Sequence, residues 1–425
     1  MISGNRQYAL LVLALVGAGC GGSNYGNTPV PPLPPPPPPA GLSTGPDSCI
    51  GGMAGDFSCS GLSLRKRVPV NEMGGGTGSG NDIWGWVDVQ TGNEYALMGL
   101  SNGTAFVDVT DPENPVFLGR LPTNTVDSAW RDIKVYQDHA FIGADNAGAH
   151  GMQVFDLTRL RGVTSAQTFT ADAIYNQFAN AHNLAINETT GYAYAVGTNT
   201  CSEGLHIVDI STPLIPIMAG CHTDADIHDT QCVVYQGPDL DYTGREICFS
   251  SASTNTANTL PVNTHHLGIA DVTVKSAPVT IFERDYPEPG FAHQGWLTED
   301  HRFFLLGDEL DETTLGVPTR TLIFDLADLD APVFVSAYQA TTDSIDHNMY
   351  TLGNRVFQAN YTSGVRVLEF QDLSNSEITE IAFLDTFPNS GGTEFDGVWS
   401  VYPYLPSGNI IASDISNGLF ILTLQ

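Results

Sequence analysis

Four histidines recur at similar intervals along the chain, and a polar residue follows each of them: His182-Asn183, His228-Asp229, His293-Gln294 and His347-Asn348. Neutral imidazoles that converge on one point bind Zn, Fe, Cu or Ni, and Asp229 or Asp346 would complete or orient such a set. The pattern therefore predicts a transition-metal site formed by His182, His228, His293 and His347. The alternative is that each histidine donates a hydrogen bond to the backbone of the neighbouring repeat, and the sequence leaves both open.

Two acidic segments offer the oxygen ligands that Ca²⁺ prefers. One is the run of Asp308, Glu309, Asp311 and Glu312, and the other contains Asp239 and Asp241. Neither follows the complete EF-hand loop pattern, so the sequence favours solvated loops over calcium sites. The pair His265-His266 lies among Ser, Thr and Asn residues and is also predicted to be in a surface loop.

Local motifs for catalysis are scarce in this sequence. It contains neither a P-loop of the form G-x-x-x-x-G-K-[ST] nor the zinc motif H-E-x-x-H. Catalytic residues can come from loops that are distant in sequence, so hydrolase chemistry is not excluded but has no support here.

The histidine pairs belong to a longer repeat. Looser copies begin at Trp84-Gly85, Arg131-Asp132 and Asp396-Gly397, and the spacing of about 50 residues between copies is typical of a β-propeller blade. Alternating apolar residues that end near Asp in most copies indicate third strands packed between neighbouring blades. The seven units predict an all-β protein, a seven-bladed β-propeller. The third strands are expected at 104–109, 151–157, 204–210, 267–272, 321–326, 364–370 and 418–424.

The last unit is missing a strand. Fourth strands are predicted at 116–121, 166–170, 215–219, 279–284, 333–338 and 378–384, whereas the seventh unit ends with its third strand. A closed ring needs that edge covered. The unassigned strand-like segment 62–70 is therefore predicted to close the propeller from the N-terminal side.

The charge of the chain limits its partners. There are 47 Asp and Glu residues against 16 Lys and Arg, which gives a formal net charge of −31. Such a field repels nucleic acid and anionic lipid. We expect a monomer whose partner is an extracellular protein, a glycan or a surface polymer.

The N-terminal region indicates export and anchoring. Residues 1–20 contain Arg6, an apolar run from Tyr8 to Val16, and Gly17-Ala18-Gly19-Cys20, which is similar to a bacterial lipobox with Cys20 as the lipidated residue. A plain signal peptide with an incidental cysteine is the alternative. Gly21 is not the Asp that would favour retention at the inner membrane, so the outer membrane or cell surface is the expected location, with lipid as the sole membrane attachment.

Three further segments follow the signal region. A Pro-rich linker is expected at 21–41, a Gly- and Cys-containing cap with the closing strand at 42–80, and the propeller at 81–425. The cysteines beyond Cys20 are even in number, as disulfides in an exported chain require. Proximity in sequence favours the pairs Cys49–Cys59, Cys201–Cys221 and Cys232–Cys248, although six cysteines allow 15 connectivities.

Several segments together resemble the LVIVD-repeat proteins, specifically the choice-of-anchor B family of bacterial surface proteins. The resemblance extends from about Cys49 to the C-terminus, and it implies a β-propeller displayed at the cell surface without implying an activity. The segments that carry it are 81–86, 103–109, 130–135, 182–187, 228–235, 293–297 and 346–350.

Two functions from different classes remain open at this point. The first is a cell-surface binding or interaction module whose ligand is unknown. The second is a metal-dependent enzyme with a histidine cluster at the propeller channel. A transition metal or Ca²⁺ is the expected cofactor class, and metal analysis separates the two functions.

Overall fold

The computed structural model describes residues 41–253, 265–388 and 390–425. The predicted signal peptide, Cys20 and nearly all of the Pro-rich linker lie outside the described residues. The described chain is almost entirely β-strand, with one short α-helix and four 3₁₀ turns. The N-terminal part contains β1 (Met53–Ala54), β2 (Phe57–Ser60) and β3 (Leu62–Val68), followed by a 3₁₀ turn at Val70–Met73.

The remaining strands form seven sheets in chain order, which we number as blades 1 to 7. Blade 1 contains β4 (Gly80–Val87), β5 (Glu94–Leu100), β6 (Gly103–Asp108) and β7 (Val116–Pro122). Blade 2 contains β8 (Arg131–Tyr136), β9 (His139–Ala144) and β10 (Met152–Asp156), then a 3₁₀ turn at Leu157–Leu160; β11 (Gln167–Thr168) precedes its last strand, β12 (Ala173–Tyr175). Blade 3 contains β13 (Asn183–Asn187), β14 (Tyr192–Val196), a 3₁₀ turn at Cys201–Glu203, β15 (Leu205–Asp209) and β16 (Ile217–His222).

Blade 4 contains β17 (Asp226–Val234), β18 (Glu246–Ser253), β19 (His265–Asp271) and β20 (Val279–Asp285). Blade 5 contains β21 (Ala292–Leu297), β22 (Phe303–Asp308), the helix α1 (Asp311–Thr314), β23 (Arg320–Asp325) and β24 (Val333–Gln339). Blade 6 contains β25 (Asn348–Leu352), β26 (Arg355–Ala359), β27 (Val365–Asp372), a 3₁₀ turn at Leu373–Asn375 and β28 (Glu377–Leu384). Blade 7 contains β29 (Val398–Tyr402), β30 (Asn409–Asp414) and β31 (Gly418–Leu424).

The first strands of the blades form the inner ring. Each contacts the first strand of the next blade, in the cyclic order β4, β8, β13, β17, β21, β25, β29 and back to β4. Within each blade the strands pair antiparallel and in sequence from the inner strand outwards. The prediction of a seven-bladed β-propeller is confirmed.

Strand β3 closes the ring, as the missing strand of the last unit predicted. It pairs antiparallel with β31, from Leu62 opposite Leu424 to Val68 opposite Leu419, and so supplies the fourth strand of blade 7. Strand β2 pairs with β28 at the outer edge of blade 6. The segment before the first blade therefore joins blades 6 and 7.

The fourth strand of blade 2 was wrongly predicted at 166–170. The strand that pairs with β10 is β12 (Ala173–Tyr175), whereas β11 pairs in parallel with Gly119 and Arg120 on the outer edge of blade 1. Gly119 permits this approach because a Cβ atom at that position would collide with the carbonyl oxygen of Gln167. The segment has the composition of a strand, but its partner is the previous blade.

Apolar residues pack between neighbouring blades and not inside a single sheet. Phe303 and Leu305 of β22 pack against blade 6, while the alternate residues Phe304 and Leu306 pack against blade 4. Successive side chains of a strand point to opposite faces of the sheet, so each blade contributes to two cores. Seven such cores, one at each interface between blades, hold the ring together.

Three disulfides join the cysteine pairs that proximity favoured: Cys49–Cys59, Cys201–Cys221 and Cys232–Cys248. Cys232 and Cys248 lie directly opposite each other on β17 and β18. The prediction of a surface loop at His265 and His266 was wrong, because both residues belong to strand β19 and pair with Ser253 and Ala252 of β18. Their polar neighbours in sequence concealed the start of a strand.

Candidate functional site

The four predicted histidines lie at or next to the start of the first strands of blades 3 to 6, at one end of the channel. Each of His228, His293 and His347 makes a hydrogen bond through Nδ1 to the backbone carbonyl of the equivalent residue on the next blade. The distances are 2.8 Å to His293, 2.9 Å to His347 and 2.6 Å to Trp399, respectively. A carbonyl accepts but cannot donate, so Nδ1 carries the proton and Nε2 keeps its lone pair. The structural alternative is therefore realised for three of the four histidines.

The residue that follows each histidine also connects neighbouring blades in several copies. The side-chain amide of Asn183 donates to the carbonyl of His228 at 3.0 Å, and Gln294 both accepts from the backbone N–H of Met349 and donates to its carbonyl. The polar pairs that repeat along the sequence thus serve as hydrogen-bonded links around the inner ring.

His182 differs from the other three histidines because its Nδ1 faces the carboxylate of Asp145 at 3.1 Å. Burial by itself would lower the pKa of His182, but the hydrogen bond and the charge of Asp145 outweigh it and raise the pKa. Burial lowers the pKa of His228 and His293 well below the usual value and lowers that of His347 to about 3. His228, His293 and His347 are therefore neutral ligand candidates at pH 7, while His182 favours the charged form.

The imidazole rings follow one another along an arc of the channel wall. Ring centroids are 4.6 Å apart between His182 and His228, 4.3 Å between His228 and His293, and 4.3 Å between His293 and His347. Trp399 continues the arc at 4.6 Å from His347. The small cavity beside the arc has a volume of about 10 Å³ and is lined by His182, His293, His347, Arg131 and Trp399 among others.

Glu309, from the loop after β22, completes a group of three donor atoms with His293 and His347. One donor atom from each residue lies within 4.8 Å of the other two, and all three side chains are buried. Glu309 Oε1 is 3.8 Å from His293 Nε2 and 4.0 Å from His347 Nε2. Two ligands of a tetrahedral zinc ion at about 2.1 Å are about 3.4 Å apart, so small shifts would bring these atoms to coordination distance. His182 and His228 are not part of this group.

Two atoms of the group lack a protein partner. His293 Nε2 and Glu309 Oε2 accept no hydrogen bond from the described residues, although their side chains are 2% and 0% exposed. Tyr361 donates to Glu309 Oε1 at 3.0 Å and so orients the carboxylate. Burial raises the pKa of Glu309 to about 8. Buried polar atoms without partners are costly, and a cation bound by His293 Nε2 and the Glu309 carboxylate would offset that cost.

The acidic run after β22 is not solvated, so this prediction was wrong. Asp308, Glu309 and Asp311 are fully buried and Glu312 is 5% exposed. The run begins at Asp308, the last residue of β22, and folds inwards at the same end of the channel as the histidines. Sequence composition could not show this, because the same residues in an outward loop would give the same pattern.

The two carboxylates proposed as partners of the histidines have different surroundings. Asp229 Oδ1 accepts from the N–H of Thr230 at 2.6 Å, and burial, with repulsion from Asp132, raises its pKa to about 7. Asp346 is 1% exposed, and neither of its carboxylate oxygens accepts a hydrogen bond from another of the described residues. Asp346 therefore lies next to the acidic run without a counter-charge of its own.

A second cavity, of about 90 Å³, lies further along the same first strands and is lined by Trp84, Lys134, Asp229, Trp296 and Tyr350 among others. The Lys134 ammonium is 2.6 Å from Asp132, 3.5 Å from Asp82 and 4.6 Å from the ring centre of Trp84. The lysine is thus engaged by protein groups, and Glu188, Asp229 and Gln231 supply further polar atoms to the cavity wall.

The other acidic segment forms an exposed group. Asp239 lies near Asp328 and Asp330, and the donor atoms of the three are within 4.8 Å of one another. Asp239 already accepts from the N–H of Leu329 and of Asp241, while Asp328 and Asp330 are exposed. Asp241 is not part of the group, and nothing distinguishes the group from an ordinary solvated turn.

Comparisons with known proteins agree with this architecture. A model of the LVIVD repeat matches residues 180–224, which include all four strands of blade 3. A protein of known structure from Lactobacillus plantarum is similar in fold, with 11% identity, a TM-score of 0.51, and coverage of 79% of this chain and 88% of that one. A chain of the COPII outer coat vertex on membranes has 11% identity and a TM-score of 0.56, with 82% and 85% covered.

The β-propeller domain of Cps50 (Swd1) from Myceliophteria thermophila has 11% identity and a TM-score of 0.49, with 78% and 93% covered. No curated protein matches the chain in sequence. At these identities the structural likenesses concern the fold alone. The LVIVD repeat together with three disulfides indicates an extracytoplasmic protein. Within the described residues, no helix has the length and apolar character needed to cross a membrane.

Proposed function

We propose that this chain is a cell-surface binding module of the choice-of-anchor B type, anchored through Cys20, whose propeller channel holds one divalent transition-metal ion. His293 Nε2, His347 Nε2 and a Glu309 carboxylate oxygen would bind the ion. The observation that carries the proposal is the buried group of donors in which His293 Nε2 and Glu309 Oε2 have no partner among the described residues.

The chemistry of the donors favours a transition metal over Ca²⁺ or Mg²⁺. Two imidazoles and one carboxylate suit Zn, Fe or Ni, whereas the hard cations prefer oxygen ligands throughout. The hydrogen bonds from Nδ1 to the carbonyls of His347 and Trp399 fix the tautomer that leaves Nε2 free. The imidazole rings of His293 and His347 are therefore preorganised to present nitrogen lone pairs to a metal.

A metal at this position would link two blades. His293 and Glu309 belong to blade 5, while His347 and the supporting Tyr361 belong to blade 6. The ion would stiffen one end of the channel, and the rigid ring would present its variable loops to an extracellular protein, glycan or surface polymer. The acidic surface supports a partner that is neutral or cationic.

A metal-dependent enzyme is the second candidate, because three protein ligands leave a coordination position open. The cavity beside the group, at about 10 Å³, is close to the volume that one water molecule needs. A metal-bound water would fit there.

Metal analysis of the purified full chain tests the proposal. After dialysis we expect about one transition-metal ion per chain, and less than about a tenth of that in His293→Ala, His347→Ala or Glu309→Gln, since each removes a ligand. His182→Ala is the matched control, because His182 lies on the same arc but is engaged by Asp145. The proposal fails if the folded wild-type chain binds no metal, or if His182→Ala loses the metal while Glu309→Gln retains it.

A further inference from the structure

The larger cavity of the channel, of about 90 Å³, has no role in the proposed metal site. Its wall comes mainly from the first strands of blades 1 to 6 and shares no residue with the group of His293, His347 and Glu309. A cavity of about 10 to 15 Å³ holds one water molecule, so this one has room for a small organic group. Glu188 is the exposed member of the wall, and the cavity therefore meets solvent on that side.

Three aromatic side chains form one part of the wall. Trp296 and Trp84 each meet Tyr350 edge to face, with ring centroids 4.9 and 5.7 Å apart and interplanar angles of 69° and 76°. In an edge-to-face pair one ring contributes only its edge, so ring faces remain for other contacts. The face of an aromatic ring carries partial negative charge and attracts cations. This part of the wall therefore suits a cation with an apolar exterior.

Carboxylates outnumber cations around the same cavity. Lys134 is the one ammonium group in the wall, and it lies 2.6 Å from Asp132 and 3.5 Å from Asp82. Those two carboxylates already match or exceed its single charge. Asp229 and Glu188 therefore add negative charge that no cation in the described wall neutralises. The resulting field favours a cationic ligand over an anionic one.

Asp229 brings this negative charge next to the aromatic side chains. Its Oδ1 accepts from the N–H of Thr230 at 2.6 Å. Burial raises the pKa of Tyr350, and the charges of Lys134, Asp82 and Asp229 act on that pKa as well. The Tyr350 hydroxyl is therefore close to these charged groups, and the carboxylate of Asp229 and the aromatic rings border one space.

We propose that this cavity binds a methylated ammonium ion, with the rings of Trp296 and Tyr350 around its methyl groups and the Asp229 carboxylate as its counter-ion. A fully methylated nitrogen carries positive charge inside an apolar exterior and has no N–H group that needs an acceptor after it leaves water. A primary ammonium ion has N–H groups that each need an acceptor. Gln231 Oε1 is already engaged by the N–H of Leu297, so the wall suits the methylated ion better.

Two other classes of ligand match the cavity less well. A metal ion needs several donor atoms close together, and the carboxylates of this wall do not belong to the groups of close donor atoms in the described part of the chain. A neutral sugar would stack on the tryptophans but would gain nothing from the excess of carboxylates. Since the cavity and the proposed metal centre share no residue, either site can be lost while the other is retained.

Calorimetric titration of the purified full chain with choline tests the inference. The titration is done at pH 8, where Asp229 is ionised, because burial raises its pKa to about 7. We expect one choline bound per chain, with a change in tryptophan fluorescence, since Trp84 and Trp296 line the cavity. The uncharged isostere of choline, in which carbon replaces the nitrogen, keeps the shape and loses the charge. It should bind at least about tenfold more weakly.

Two substitutions in the wall should each weaken choline binding roughly tenfold. Trp296→Leu keeps an apolar side chain and removes an aromatic face, while Asp229→Asn removes the charge and keeps the oxygen that accepts from Thr230. Their melting temperatures verify that both variants fold. Asp328→Asn removes an exposed carboxylate outside the cavity and should keep the wild-type affinity.

A chelator separates this inference from the proposed metal site. Choline should bind the wild-type chain equally well with and without EDTA, whether or not the chain contains a metal. The inference is overturned if the chain binds no choline, if choline and its isostere bind equally, or if glucose binds more tightly than choline. It is also overturned if both folded wall variants keep the wild-type affinity.

Discussion

The channel histidines show how one side chain serves structure and chemistry together. Nδ1 of His228, His293 and His347 links neighbouring blades through carbonyl oxygens, and this bond leaves Nε2 as an available ligand atom. The two interpretations of the repeated histidines are therefore compatible. What distinguishes one histidine from another is the partner that the fold brings near, such as Asp145 for His182 and Glu309 for His293.

Asp414 gives a residue-scale prediction about pH. It is fully buried at the end of β30, accepts from Thr386 Oγ1 at 2.6 Å and from the N–H groups of Ser416 and Asn417, and burial raises its pKa to about 7. An unfolded Asp has a pKa near 3.9, so the native state binds the proton more tightly. The stabilisation that Asp414 gives through this proton is fully present below the unfolded pKa of about 4. It is lost as the pH rises through the native pKa of about 7.

Asp414→Asn should therefore match the wild type near pH 4 and exceed it at pH 8. The gain is about 1.4 kcal/mol for each pKa unit that separates the two states. Urea denaturation of both proteins at pH 4 and pH 8 measures the difference in their free energy of unfolding. Because the two proteins are compared at the same pH, the contributions of the other titrating groups cancel. A variant that is less stable at pH 8 would mean that the ionised carboxylate and its hydrogen bonds prevail.

The residue types of the candidate site were visible in the sequence, but their grouping was not. His293 and His347 stand out by their spacing, whereas Glu309 is one of several acids in a run that was predicted to be solvated. Its role depends on a loop that folds inwards after an apolar strand. The position of the run, directly after a second strand and at the histidine end of the channel, is the signal that could have identified it.

At the scale of elements, the repeat made the strands predictable because each blade must bury both faces. Apolar residues alternate regularly along the third strands, and polar pairs mark where the first strands begin. The missing fourth strand of the last unit pointed to β3. The fourth strands were harder to place, because the outermost strand has only one neighbour in its own blade. In blade 2 the chain between β10 and β13 contains two short strands, β11 and β12, and the composition of either suits an outer strand. β11 pairs with blade 1, whereas a regular repeat would place it in blade 2.

The closing strand gives an element-scale prediction. β3 forms an antiparallel ladder with β31 and buries Leu62, Leu64 and Val68 in the cores at blades 6, 7 and 1. Deletion of residues 60–72 exposes the edge of β31 and removes four buried apolar side chains, Leu62, Leu64, Val68 and Val70. Truncation of each buried leucine costs about 2 to 5 kcal/mol. We expect loss of the cooperative thermal transition in circular dichroism.

Two comparisons make the deletion informative. Removal of residues 29–39 should leave the thermal transition unchanged, since this Pro-rich tract is expected to be a linker outside the propeller. A synthetic peptide of residues 60–72, added to the protein that lacks them, should restore part of the transition by pairing with β31. A cooperative transition at the wild-type temperature after deletion of 60–72 would show that β3 is dispensable for closure.

The whole molecule combines a rigid ring with a strongly acidic composition. Seven interblade cores hold the ring, and the net charge of −31 gives it no electrostatic attraction for an anionic lipid surface. No described helix is long and apolar enough to span a membrane. The attachment proposed above is lipid at Cys20, the cysteine of the predicted lipobox.

Replacement of Cys20 by Ser tests this attachment at the scale of the cell. Membrane association through acyl chains depends on the hydrophobic contribution of each buried CH₂, about 0.8 kcal/mol, and the acidic body cannot compensate for its loss. In a Gram-negative host we expect wild-type protein in the membrane fraction and Cys20→Ser in the soluble exported fraction, with the same melting temperature. A second substitution, Cys59→Ser, should disturb the Cys49–Cys59 disulfide without changing the membrane fraction. If Cys20→Ser stays with the membrane after a high-salt wash, the attachment does not depend on lipid at Cys20.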